Sequence, residues 1–394
     1  MNTNLLNIEI QRFINSNLES DITRLLLKGI DFESIETKAL IEQIESKRRS
    51  KKKLPTWYNS ENIYYPNKLN IEQTSSEVTA NYKASLVEGN SLIDLTGGFG
   101  IDSYSFSKNI EQITHCEISS NLSNIVKHNY KVLNTSNIEC ISENGIDVLK
   151  RLDKKFDWIY IDPSRRDSTK EKVFLLSDCT PNIKIFQNLF LKYSEHVMIK
   201  TSPILDLSAT LSDLKSVKEI HIVAVNNEVK ELLWILERNY EDNVIIKTVN
   251  LQKDSNQHFE FNFFKESNSK AEYSQPLTYL YEPNSAILKS GAFNSVSNIL
   301  NIPKLQKHSH LYTSKDLIVF PGRCFKIENQ LPFNKKVFAK EKISKANVTT
   351  RNFPLSVSEI RKKLKIKDGG NHYLFFTTNL NEEKIVLVCS KINI

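Results

Sequence analysis

Between residues 80 and 250 short apolar runs alternate with stretches of helical spacing, and this alternation constrains the fold more than any other feature of the chain. SLIDLTG, ITHCEIS, IECISEN, FDWIYIDPS, HVMIKTSP and EIHIVAV read as six strands. Between them, stretches such as NLSNIVKHNYKVL and GIDVLKRL repeat apolar residues at helical intervals. Parallel strands cannot be joined by a tight turn, so each needs a crossover, usually a helix. The expectation is a doubly wound α/β domain whose mostly parallel sheet is covered on both faces.

The flanks read differently. Residues 1–70 are a helical N-terminal region with a basic segment, in which six of the seven residues of Lys47–Lys53 are Lys or Arg before Pro55 breaks the helix. That run reads either as a solvated linker or as a phosphate-contacting patch with Trp57 and Tyr58 as stacking surfaces. Beyond 250, FEFNFFKE reads as a strand and NSAILKSGAFNSVSNILN as a helix. DLIVFPGRCFKI reads as strand, turn and strand around Pro321-Gly322. A basic helix, SVSEIRKKLKIK, is followed by a turn at Gly369-Gly370 and the strands YLFFTT and KIVLVCS. The domain expectation is therefore 1–70, the α/β domain 71–250, and two small α+β domains at 255–325 and 326–394.

Charge and cysteines narrow the setting. A net charge of +7 permits a nucleic-acid partner without requiring one. The five cysteines are dispersed with no C-x-x-C pair, which suits free thiols in a reducing compartment. No apolar run approaches the ~18 residues of a membrane span, and the amino terminus has no basic stretch leading into an apolar core, so a cytoplasmic protein is expected. His308 and His310 bring no further ligands with them, and no metal site is expected.

Three of the ten glycines, Gly97, Gly98 and Gly100, fall within DLTGGFGID, directly behind the first strand. A strand ending in an acid, a glycine turn and then a helix is the shape of a nucleotide-type site: glycine lets the backbone approach the ligand, and the helix offers oriented N–H groups. Glu117 follows Asp94 at close to the ~20-residue spacing at which an acid meets ribose hydroxyls. Asn144 ends the third strand, where it suits an adenine amino group, and the fourth strand closes in DPSRRD. The carboxyl ends of four strands thus aim polar groups at one crevice. The spacing is not the G-x-G-x-x-G of nicotinamide enzymes.

The D-x-x-G-G-x-G arrangement resembles motif I of the class I methyltransferases, which bind S-adenosylmethionine. Thr96 stands where the usual motif has its first glycine, as in the RNA guanine-N2 methyltransferases that read D-A-T-A-G-L-G-R-D. IEQTSSEVTANYKASL, residues 71–86, is similar to the helical lead-in that folds over the cofactor in these enzymes and in the trimethylguanosine synthase group. With KLPTWY, IKTSPILDL, NNEVKELLW, YEPNSAILKSGAF, HSHLYTS, FPGRCF and ANVTTRNFPLS, the resemblance extends over nearly the whole chain to a bacterial family of class I methyltransferases ending in a THUMP-like domain.

That resemblance implies a Rossmann-like methyltransferase domain, a ferredoxin-like segment at 255–325 and a THUMP-like domain at 326–394. It implies S-adenosylmethionine as cofactor, held by Gln73, Ser76, Asp94, Thr96, Gly97, Gly98, Phe99, Gly100, Asp102, Glu117, Ile118, Asn144 and Gly145. It further implies RNA, ribosomal or transfer, as the partner. Amino-methylating relatives use an acid-Pro-Pro-aromatic motif; Asp162 and Pro163 keep its first half as catalytic residues, while Ser164 and Arg165 replace the rest. Arg165, Arg166, Lys200, Arg351 and Lys362 are the expected RNA contacts. Pyrimidine C5 chemistry needs a cysteine nucleophile near the fourth or fifth strand end, and IKTSP has none, so a purine amine such as guanine N2 is the expected acceptor. The altered DPSRR leaves a second reading, a non-catalytic RNA-binding or assembly factor that retains the cofactor fold.

Overall fold

The computed structural model describes residues 1–28, 32, 35–165 and 176–393. Their contacts separate two compact units, Met1–Lys218 with Leu232–Glu241, and Glu219–Glu231 with Asp242–Ile394.

The first unit is built on β1 (Gly89–Asp94), β2 (Ile110–Cys116), β3 (Ile138–Ile141), β4 (Phe156–Ile161), β7 (Ser194–Thr201) and the end of β9 (Glu228–Glu237); a two-residue ribbon, β5 (Ser164–Arg165) with β6 (Cys179–Thr180), follows β4. The sheet order is β9-β7-β4-β1-β2-β3. Every neighbouring pair is parallel except β7 with β9. β1 and β4 are almost continuously buried toward their carboxyl ends, as strands covered on both faces must be. Crossover helices begin on side-chain caps that satisfy otherwise orphaned N–H groups: Ser119 for Ser120–Val132, Asn144 for Gly145–Leu152 and Asn182 for Ile183–Tyr193. On one side of the sheet Leu92, Phe106, Trp158, Tyr160 and Met198 share a core. Another core joins Leu40, Ile44 and Trp57 of the N-terminal helices to Phe99, Ile125, Val126 and Tyr130, so the helical region packs on the glycine loop and the helix after β2.

β9 is a strand that the sequence reading left unassigned; its antiparallel pairing with β7 sets His196 against Glu237 and Thr201 against Leu232. The basic run also resolves. It continues the helix Thr37–Lys53, and several of its side chains pair with neighbouring segments of the unit: Arg48 donates to the carbonyls of Leu18 and Ser20, Lys53 donates to those of Ile71 and Glu72, and exposed Arg49 and Lys51 pair with Glu72 and Glu19. It staples neighbouring helices.

The second unit contains β8 (Val217–Val225) from Glu219 on, β10 (Ile245–Leu251) and β11 (Gln257–Asn262), with β10 parallel to β8 and antiparallel to β11. It also carries a six-stranded sheet of β12 (Tyr279–Pro283), β13 (Tyr312–Ser314), β14 (Gly322–Pro332), β15 (Lys345–Arg351), β16 (Lys367–Thr378) and β17 (Lys384–Ile392), ordered β13-β12-β14-β17-β16-β15. Four local expectations change here. FEFNFFKE turns from strand to the short helix Phe263–Glu266, and the expected single helix divides at Gly291, φ 75°. The first half of DLIVFPGRCFKI is not a strand. Gly369 and Gly370, both near φ 90°, lie inside β16 at an irregularity in its pairing with β15 and not in a turn.

Candidate active site

The parallel pairing places the carboxyl ends of β1, β2, β3, β4 and β7 along one edge of the sheet. The glycine turn leaves β1 there. The Gly97 N–H donates to the Cys116 carbonyl at 2.8 Å, and the Gly98 N–H donates to Glu117 Oε2 at 3.0 Å. Gly98 (φ 55°) and Gly100 (φ 79°) occupy the left-handed region that suits glycine. A Cβ on Gly97 would lie 2.2 Å from His115 Nε2, and one on Gly100 would lie 2.2 Å from the Tyr130 hydroxyl. A Cβ on Gly98 would meet only Thr96 O, at 3.9 Å, so the loop is packed tightly from below and open at Gly98. Gly145 closes in from the start of the helix after β3: its Cβ would strike Leu95 O at 2.3 Å.

Two acids sit in the floor. Asp94, 1% exposed, accepts from the Thr96 N–H at 3.0 Å and the Ser103 hydroxyl at 2.7 Å. Burial pushes its carboxyl up to about 7 despite those bonds, and nearby Asp102 and Asp162 add to the rise. Asp102, on the first turn of the helix Ile101–Phe106, pairs with fully buried Lys83 at 3.1 Å and accepts from Ser75 and Tyr160 hydroxyls, each at 2.8 Å. Burial raises its pKa, but Lys83, Lys200 and the two hydroxyls outweigh it and hold the carboxyl below the usual range. His115, fully buried under Gly97, is kept neutral by burial, its pKa down to about 4.

Asp162 follows β4. Its N–H donates to Thr96 Oγ1 at 2.7 Å, and its Oδ2 is paired with Lys200 of β7. The threonine that replaces a glycine in the loop thus ties the loop to Asp162. The Asp162 and Lys200 side chains are 33% and 14% exposed, a paired carboxylate at the rim of the crevice.

The other expected residues divide. Asn144 caps its helix by accepting from the Ile146 N–H, and Ile118 is 73% exposed beside Glu117. Phe99 is turned into the core with Ile125 and Val126. In the lead-in, Gln73 is exposed and the Ser76 hydroxyl caps the helix Glu77–Ala84, while the side chains that reach Asp102 are Ser75 and Lys83. Pro163 adjoins Asp162, half-buried. Arg165 contributes its backbone to the ribbon opposite Cys179, and Arg166 lies outside the described residues. Arg351 and Lys362 belong to the second unit, where Arg351 pairs with buried Glu282 and Lys362 is exposed. Among the described residues no cluster of three metal-ligating side chains occurs, and no helix is long and apolar enough to cross a membrane.

Residues 322–391 match the THUMP domain-like family, and residues 279–321 match a ferredoxin-like domain family. No curated protein matches the chain. Among solved structures, a protein of Porphyromonas gingivalis W83 described as a methyltransferase is similar over 100% of both chains, with 32% identity and a TM-score of 0.90. An rRNA methylase from Streptococcus thermophilus is 13% identical over 41% of this chain and 93% of its own, TM-score 0.31. A protein of Streptococcus mutans described as a methyltransferase, solved in complex with SAH, is 12% identical over 40% and 96%, TM-score 0.30.

Proposed function

The chain belongs to the class I methyltransferases that end in a THUMP-like domain, and from that premise we propose that it methylates RNA, at a purine exocyclic amine such as guanine N2, with S-adenosylmethionine as donor. The residues present suit that cofactor. Gly98 faces open space, Glu117 borders it, and Asp94 is a buried acid with no cationic partner among the described residues, as a site for an ammonium or sulfonium requires. When bound, the cofactor supplies an electrophilic methyl group.

The observation that carries the catalytic reading is Asp162, fixed through its backbone by Thr96 and through its carboxylate by Lys200, one strand from the glycine loop. An exocyclic amine is a weak nucleophile because its lone pair is drawn into the ring. Orienting it with a hydrogen bond to Asp162 aligns the lone pair for attack. When the nitrogen takes the methyl, the electron pair of the broken carbon–sulfur bond would stay on sulfur as a neutral thioether, and the Asp162 carboxylate would receive the proton shed by the new ammonium. Lys200, paired with that carboxylate, holds it in place at the rim of the crevice.

The test is transfer of labelled methyl to total RNA from cells lacking this gene, with nucleoside analysis, for the natural protein and for Asp162→Ala. A positioned base contributes about 10²–10⁴-fold, so the variant should lose that much rate while its cofactor Kd changes less than about tenfold. Label in a single purine nucleoside fits the reading. No incorporation by the natural protein, despite measured cofactor binding, refutes it and favours the non-catalytic factor to which Ser164 and Arg165 point.

A further inference from the structure

Three of the segments quoted for their resemblance, YEPNSAILKSGAF, FPGRCF and ANVTTRNFPLS, have no part in the methyl-transfer site, yet they meet at one carboxylate in the second unit. Glu282 of β12 is buried, its side chain 4% exposed. Its Oε2 accepts from Nε of Arg323 at 2.7 Å and from Nη2 of the same residue, and its Oε1 accepts from Nη2 of Arg351 at 2.9 Å. The acid comes from the ferredoxin-like segment and both arginines from the THUMP-like one.

One arginine would neutralise one buried carboxylate. Two leave a net positive charge, held by side chains still 39% and 32% exposed. Arg351 Nε is buried with no hydrogen-bond partner among the described residues, a donor that calls for an explanation. A buried lysine and a neutral histidine stand near. Lys304, 1% exposed, lies over Phe293 at 5.8 Å, and the His310 ring stacks on the same phenyl at 3.6 Å with its Nδ1 also buried and unpartnered among the described residues. Burial, then Lys304 and Arg351, hold His310 down to about 4, so it stays neutral at physiological pH and adds a donor without a charge. Arg323 is braced against Phe325 at 5.6 Å. Glu282 therefore acts as an aligning group: it orients two forks whose remaining N–H groups suit a tetrahedral oxyanion.

We propose that Arg323 and Arg351, aligned by Glu282, form a phosphate-binding site, with an RNA chain as the source of the phosphate. The choice of RNA rests on the function proposed above; the oxyanion chemistry does not.

The test uses the full chain with ¹⁵N-labelled arginine. Inorganic phosphate should shift the Nε resonances of Arg323 and Arg351 in the natural protein, and Arg323→Gln should abolish the response of Arg351 while leaving the thermal midpoint near that of the natural protein. RNA binding by Arg323→Gln should weaken about tenfold at low salt, and the slope of log K against log salt should fall by about 0.7–0.9, the value of one phosphate contact. Arg323→Lys keeps the ion pair with Glu282 and hence the fold, but loses the fork, and should be intermediate. Should Arg323→Gln not fold, Arg323→Lys and the phosphate titration decide. Phosphate that shifts both resonances while RNA fails to bind at all would support the site with a free nucleotide as its source, and would count against the RNA reading alone. Phosphate that moves neither resonance, with RNA affinity and slope unchanged in the variants, would make the trio a structural staple and overturn the proposal.

Discussion

Gly97→Ala isolates how the glycine loop is held. Gly97 has no left-handed φ, so alanine introduces a steric conflict and no backbone strain. The new Cβ would stand 2.2 Å from His115 Nε2, 2.4 Å from Cε1 and 2.5 Å from Cδ2, more than an ångström inside ordinary contact. The ring cannot move aside: it is fully buried and meets Tyr130 edge-on at 5.9 Å, and Tyr130 is itself fixed by donating to Gly100 O at 2.8 Å. Overpacking costs typically about 1–3 kcal/mol, and a rigid obstacle places this case near the top, about 3 kcal/mol. For a domain of about 150–250 residues that lowers Tm by about 6–12 °C. Calorimetry on Gly97→Ala, His115→Ala and the double variant reads the cause directly. Alanine at 115 vacates the space, so the double variant should be more stable than the sum of the single losses by at least about 1 kcal/mol. Gly98→Ala is the control: its Cβ meets nothing closer than 3.9 Å, leaving only the left-handed penalty of about 1 kcal/mol. Coupling below about 0.5 kcal/mol, or equal losses at 97 and 98, would refute the steric argument.

Three other outcomes follow from the same groups. The Asp94 carboxyl is raised from 3.8 to about 7, so the stability it contributes is present at low pH and lost as pH climbs through that window; a cationic ligand needs the charged form, and cofactor affinity measured by calorimetry should rise toward pH 7 and level above it, with Asp94→Asn weak and flat. His115 has the opposite sign: its folded pKa is depressed from 6.5 to about 4, so stability is intact above pH 6.5 and falls as pH drops toward 4, by about 3 kcal/mol in all. Acid titration of His115→Phe should lack that component. Lys83→Met leaves Asp102 buried without its closest cation, which costs about 3–5 kcal/mol in thermal unfolding, and adding Asp102→Asn should recover part of the loss.

The sheet was legible because strands buried on both faces are written as unbroken apolar runs ended by polar residues; that is why six strands, and the acids at their ends, were found from local pattern. β9 escaped because NNEVKELLW opens on polar residues and joins the sheet antiparallel. The glycine pair at 369–370 escaped because the same dipeptide serves a turn or a strand irregularity, and only the pairing with β15 distinguishes them. The run at Lys47–Lys53 looked like a charge patch, yet its partners, Leu18, Glu19, Ser20 and Glu72, lie far along the chain. The same holds in the site. Asp94, Glu117 and Asp162 announce themselves by position, whereas Lys83, Tyr160 and His115 matter only for what lies across from them after folding.

Charge balance around the loop bears on what the crevice accepts. Asp102 has Lys83 and Asp162 has Lys200, but Asp94 has only the Thr96 amide and the Ser103 hydroxyl among the described residues. A buried carboxyl whose pKa has risen to about 7 is a cost to the folded chain. An asparagine carbonyl would accept the same two hydrogen bonds without it, so a fold kept only as a scaffold gains nothing from an acid here. Such costs concentrate where a ligand offsets them. A nicotinamide dinucleotide would bring a pyrophosphate toward three carboxylates and deepen the imbalance. A ligand carrying an ammonium and a sulfonium would reverse it, since Asp94 offers a buried carboxyl without a cationic partner among the described residues.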